Sequence, residues 1–227
     1  GTTKQQLLPL FVSANQINAL LLSNAPLGQV QITVSYTPSG GQAQTSNPAS
    51  FEVVAHAPGI FTATGSGMGW GILQNFKSQT DQPINQAVES IKPGQAGTLW
   101  LTGLGAVTGG DQNSPPVGDL PYDIEVWVGG RKVSRILYKG RAPGISGLDQ
   151  IVFFVPDDTP EGCFVPVFVV SNGAVSNSTT IAVNRNGGAC QDLHNPVATR
   201  MVGGGKVLMG MLARFSGPFG NPPASGT

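Results

Sequence analysis

Charge is the scarcest commodity in this chain of 227 residues: Lys plus Arg is 12, Asp plus Glu is 12, and charged residues make up 11%, against roughly 25% in an average globular chain. The formal net charge is zero, so no long-range field draws nucleic acid or an anionic membrane, and neither is expected as a partner. Histidine is nearly absent, with His56 and His194 alone, which leaves few bases for nucleophilic catalysis and few ligands for a metal. No apolar run reaches 18 residues, so no membrane span is expected. A hydrophobic leader is missing too; Gly1-Thr2-Thr3-Lys4 reads as the start of a processed or trimmed product. Long helices are disfavoured by the opposite of scarcity: 32 Gly and 18 Pro punctuate the chain every few residues, which suits many short strands.

Only two cysteines exist, Cys163 and Cys190. A lone pair has no zinc-site spacing. In an oxidising compartment they form a disulfide, the favoured reading; in a reducing one they are two buried thiols.

What is present is a piece of sequence that recurs. Gln16-Ile17 returns as Gln150-Ile151, and Pro26-x-Gly28 returns as Pro160-x-Gly162, both 134 residues later. An alternating apolar strand, a Gly-containing turn and a Ser-Asn pair follow each time. The pairs are Ser46-Asn47 and Ser176-Asn177, now 130 apart, so the first hairpin is four residues longer. Length variation confined to a turn is what a repeated β-unit allows. In the first occurrence Val30, Ile32, Val34 and Tyr36 alternate with Gln29, Gln31, Thr33 and Ser35, the signal of a half-buried antiparallel strand.

Further strands are expected at 50–54, 98–101, 124–128, 133–138, 150–155, 163–170 and 178–183, with Gly129-Gly130 as a tight hairpin turn. Residues 105–121 read as a long polar loop. The constant offset of 134 places Phe164, Pro166, Phe168 and Val170 on the inward face of the second strand. It leaves Cys163, Val165, Val167 and Val169 as an apolar outer face that needs a cover. The segment after Val183 is the expected cover, pinned by Cys163–Cys190. Pro166 implies an edge position or a bulge.

The expected domains are residues 1–62, the second half of a β-sandwich; 63–185, a whole one; and 186–227, an extension whose Val207–Leu212 run reads as one more strand. Half a sandwich exposes its apolar face and unpaired edges. The chain therefore reads as a piece of a longer protein, the favoured alternative, or as a subunit completed by strands from another polypeptide.

Several elements, in order, resemble the tandem β-sandwich domains of secreted proteins of Solibacter and other acidobacteria. They are Gln16-Ile17-Asn18 and Gln150-Ile151, Ala57-Pro58-Gly59-Ile60-Phe61, Leu101-Thr102-Gly103-Leu104-Gly105, and Ile136-Leu137-Tyr138 followed by Ala142-Pro143-Gly144. The resemblance covers roughly residues 7–185. It implies an all-β fold of tandem immunoglobulin-like sandwiches, the first incomplete in this chain. It implies no catalytic residue, because the family pattern names none.

A search for chemistry gives little. His56 reads as a turn residue and His194 as a loop residue without a second ligand cluster. No G-x-S-x-G elbow occurs: Thr64 stands where Ser66 would need a glycine. Gly203-Gly204-Gly205-Lys206 fails as a phosphate loop because Val207 stands where Ser or Thr should bind magnesium. Asp111, Asp119 and Asp123 read as turn-formers rather than paired catalytic carboxylates or a calcium loop. No cofactor and no metal is expected. Trp100, between Leu99 and Leu101, and Trp127, between Val126 and Val128, point away from the core by alternation. Outward Trp docks on a protein surface, here the favoured use, or stacks on sugar rings. The reading is thus a non-enzymatic, extracellular or cell-surface structural, adhesion or assembly module whose partners are other protein chains, or missing parts of the same protein, bound by strand addition. The alternative is a carbohydrate-binding accessory module of a larger secreted hydrolase, with Trp100 and Trp127 as its polysaccharide platform.

Overall fold

A computed structural model describes residues 4–109 and 116–192. Asp111, His194, Gly203–Lys206 and Val207–Leu212 lie outside them, as does the extension beyond residue 192. Among the described residues every regular element is a strand and the named strands pair antiparallel, in keeping with the Gly and Pro punctuation.

The N-terminal part holds β1 (Leu8–Val12), β2 (Ile17–Leu20), β3 (Gly28–Ile32), β4 (Ser35–Tyr36), β5 (Gln44–Thr45) and β6 (Ala49–Val53). They form three separate two-stranded sheets, β1-β2, β3-β6 and β4-β5. The rest holds β7 (Gly59–Ile60), β8 (Leu73–Asn75), β9 (Ala96–Thr102), β10 (Ile124–Val128), β11 (Arg131–Lys132), β12 (Ile136–Arg141), β13 (Asp149–Phe154), β14 (Gly162–Ser171), β15 (Ala174–Val175) and β16 (Thr179–Val183). These make two five-stranded sheets. One is ordered β12-β13-β9-β7 with β8 also on β9; the other is β11-β10-β14-β15 with β16 also on β14.

The two five-stranded sheets bury one core between them. Leu99, Leu101, Ile151 and Phe153 from the first meet Val126, Val128, Val165, Val167, Val169 and Ile181 from the second. Each strand contributes alternate residues, as a two-layer arrangement demands. Gly59 and Ile60 pair with Thr102 and Leu101 of β9.

The recurrence in sequence is also a recurrence of hydrogen bonds. Ala25 N–H donates to Leu22 O, and Thr159 N–H donates to Pro156 O, before each Pro-x-Gly. Ser46 N–H donates to Val34 O and accepts from Val34 N–H through its hydroxyl; Ser176 does the same with Val169. The β1-β2 hairpin matches the β12-β13 hairpin, down to a register shift at Pro9/Phe11 and at Ile136/Tyr138.

One expectation is reversed. Val165, Val167 and Val169 face the core, and Phe164 and Pro166 are exposed. The cause is a bulge: β14 pairs with β16 at Gly162–Val183 and next at Val165–Ile181, whereas β3 pairs with β6 at Gly28–Val53 and then at Val30–Phe51 with no extra residue. Val165 therefore takes the place of Val30. One inserted residue turns every later side chain to the other face. The apolar face that seemed to need the C-terminal segment as its cover is covered by the opposing sheet. Pro166 follows this bulge; its carbonyl accepts from Gly129 N–H, so its nitrogen faces the Gly129-Gly130 turn, where no ladder bond is lost.

Cys163 and Cys190 form a disulfide. It pins residues 188–190 beside the strandless stretch 87–90, where Cys190 N–H donates to Ala87 O and Ser90 N–H to Gly188 O.

Candidate functional site: an open face and open edges

The core residues of the two-layer part have positional counterparts before residue 54. Val169 is 0% exposed, and its counterpart Val34 is 41% exposed. Ile181 and Ile151 are 0% exposed; their counterparts Phe51 and Ile17 are 38% and 44% exposed. Among the described residues of this stretch only Val53 and Leu22 are buried. The sequence puts the same apolar pattern in both places; what differs is the cover. In the two-layer part β9 pairs with β13 over Asp149–Phe154, and β10 pairs with β14 over Val167–Ser171. The matching edges of β2 and of β3 and β4 carry no further strand among the described residues.

Asn177 of the recurring Ser-Asn pair shows what the second part gains. Its side-chain oxygen accepts from Ile60 N–H, and its amide donates to the carbonyls of Ile60 and Gly67. The side chain of Asn47, the counterpart, makes no hydrogen bond to any described residue and is exposed.

The Ala57–Phe61 and Leu101–Gly105 segments meet each other. Ala57 N–H donates to Gly103 O, and Gly103, at φ 80°, leaves no room for a side chain: a Cβ there would lie 2.0 Å from Ala57 O. His56 Nδ1 lies 2.9 Å from Leu104 O, which makes it the donor, and 3.1 Å from Ser171 Oγ. Sequence spacing gave no sign of this Ser–His contact, because the two are 115 residues apart. It is no nucleophilic pair: Ser171 is wholly buried and its hydroxyl donates to Leu104 O.

Beside it, Asp149 pairs with Arg141 and accepts from Leu104 N–H. Burial pushes the Asp149 carboxyl above the usual range, against the opposing pull of Arg141 and of the Leu104 and Gly103 amides. Arg141 also donates to Gly105 O, and Ser23 of the N-terminal part accepts from Val107 N–H. This cluster ties loops together.

Both expected contact tryptophans are half-buried and alternate outward, but they do not share a face. Trp100 is on β9 of one sheet and Trp127 on β10 of the other, so they look to opposite sides of the shared core. Trp100 donates to Gln74 Oε1 and lines a shallow apolar depression of about 410 Å³ with Phe61, Ile84 and Ile145. Trp127 lies parallel to Phe168, centroids 6.0 Å apart. Its indole donates to Glu125, which is bound on its other oxygen by Lys132; these bonds hold the Glu125 carboxyl below its usual range.

Asp119 accepts from Lys139 N–H, a loop-shaping role. No group of three or more His, Cys, Asp or Glu side chains is placed to hold a metal among the described residues, and no described helix is long and apolar enough to cross a membrane. Compared with known protein families, curated proteins and solved structures, the chain finds no match in any of the three.

Proposed function

We propose that this chain is a non-enzymatic, extracellular structural or assembly module of two immunoglobulin-like β-sandwiches, the first of them incomplete, and that it acts by taking foreign backbone and apolar side chains onto residues 8–53. The observation that carries this reading is the contrast between Val34, Phe51 and Ile17, exposed, and Val169, Ile181 and Ile151, buried at matching positions. Val34, Phe51, Ile17 and Leu21 stand about two-fifths exposed; complete burial yields on the order of 1 kcal/mol apiece. Unpaired strand edges add main-chain hydrogen bonds to the same contact. The disulfide fits an oxidising compartment.

The test is light scattering with a hydrophobic dye on the purified chain across a concentration series. Self-association, or strong dye binding that a partner abolishes, supports the reading. A monomer that binds no dye at any concentration refutes it.

A second reading has its own observation. The parallel Trp127–Phe168 pair, with Glu125 and Lys132 alongside, combines aromatic faces with a fixed carboxylate and ammonium, the chemistry of a polysaccharide contact. Trp100, on the opposite face, takes no part in it. Retention on insoluble polysaccharide that Trp127→Ala abolishes would favour this reading.

A further inference from the structure

Within residues 59–132, β9 lies along β13 and β10 along β14, and so they close the free edges of the hairpins that recur. From this we infer that the open face of residues 8–53 takes a polypeptide segment built like residues 59–132, in the register those residues use. The inference rests on the assembly reading above and names the occupant.

The register follows residue by residue. β10 lies on Val167–Ser171, whose counterparts are Ile32–Tyr36, so a strand patterned like Ile124–Val128 adds antiparallel there. β9 lies on Asp149–Phe154, whose counterparts are Asn15–Leu20, so a strand patterned like Ala96–Thr102 adds along β2. The alternate apolar residues of these two strands, those in the places of Leu99, Leu101, Val126 and Val128, then cover Ile17, Val30, Val34 and Phe51. A third contact comes from Asn47. Asn177 grips both backbone groups of Ile60, and Asn47, free of side-chain bonds to the described residues, is the matching grip for an Ile60-like residue of the occupant. An apolar surface alone would accept any greasy partner. Two defined edges and one waiting amide clamp select an extended polypeptide of this pattern.

A second copy of the chain is not the occupant in this account, since its own β9 and β10 are already paired on both edges: β9 with β13 and with β7 and β8, β10 with β14 and β11.

The experiment uses an extended chain in which residues 57–134, as an additional copy, are joined directly ahead of Leu8. Amide hydrogen exchange is read at Asn15–Leu20 and Ile32–Tyr36, with Val165–Ser171 as the internal measure of folding. The expected result is exchange slowed at least about a hundredfold at both stretches, loss of dye binding, and partial reversal by Asn47→Ala. An additional copy carrying Asp in the places of Leu99, Leu101, Val126 and Val128 should give none of this. A second measurement covers an extended chain that fails to fold: a synthetic peptide of residues 121–130, added to the unaltered chain, should slow exchange at Ile32–Tyr36 alone. No slowing in either arrangement overturns the inference. If the unaltered chain instead self-associates with those amides already protected, the occupant is a second copy: the inference falls and the assembly reading stands. If the chain stays monomeric, binds no dye and neither arrangement protects it, both fall.

Discussion

Val34 and Val169 are the same residue with the same hydrogen bonds, each exchanging backbone and hydroxyl bonds with a serine, yet one is 41% exposed and the other 0%. Truncating both to alanine isolates the effect of cover. Val169→Ala removes two buried methyl groups, about 1.6 kcal/mol of transfer at 0.8 per carbon, and leaves a cavity inside a packed core, which brings the cost to about 2–3 kcal/mol. Val34→Ala removes the same atoms from a half-wet face that can relax, so its local cost is about 1 kcal/mol or less. The assay is urea unfolding followed by tryptophan fluorescence. All three tryptophans, Trp70, Trp100 and Trp127, lie outside residues 8–53, so the signal originates in the two-layer part. Val169→Ala should lower that transition by about 2–3 kcal/mol, and Val34→Ala should leave it within about 0.5 kcal/mol. Equal shifts from the two variants would refute the contrast between a closed and an open face.

Removing the disulfide with the double variant Cys163→Ser, Cys190→Ser opens a loop of 27 residues and should cost about 3.5 kcal/mol by loop entropy, read in the same unfolding assay; a loss under about 1 kcal/mol would contradict that. Gly103→Ala forces a Cβ to within 2.0 Å of Ala57 O at φ 80° and should destabilise by about 3 kcal/mol or more, with calorimetry as the check. Folding raises the Asp149 pKa above its unfolded value near 3.8, chiefly through burial. Its contribution to stability is therefore full below that value and lost as pH rises through the folded one. Measured against Asp149→Asn from pH 3.5 to 7, the unaltered chain should lose relative stability with rising pH, and a relative gain would show that the Arg141 pairing outweighs burial.

The all-β character was legible because Gly and Pro leave no room for helices, and the strands from Thr98 to Val183 were legible from period-two alternation. The recurring Gln-Ile, Pro-x-Gly and Ser-Asn elements pointed to matching hairpins, and the Ser46–Val34 and Ser176–Val169 bonds repeat accordingly. The facing of β14 did not, for a physical reason: Cys163 to Val170 is apolar on both sides, so alternation carries no sign, and a single bulged residue after Gly162 decides it. Trp100 and Trp127 are half-buried, and which sheet carries each depends on strand order, which β9 and β10 do not encode locally. His56 meeting Ser171 and Asp149 meeting Arg141 at the Gly103–Gly105 loop depend on closure of the whole two-layer part. The grip of Asn177 on Ile60 was half visible as a repeated Ser-Asn pair; its partner, 117 residues away, was not.

Residue-resolved amide exchange on the unaltered, monomeric chain tests the central claim most directly. The account predicts fast exchange along Ile32–Tyr36 and exchange at Val167–Ser171 close to the limit set by global unfolding. Equal protection of the two stretches in a monomer would contradict it.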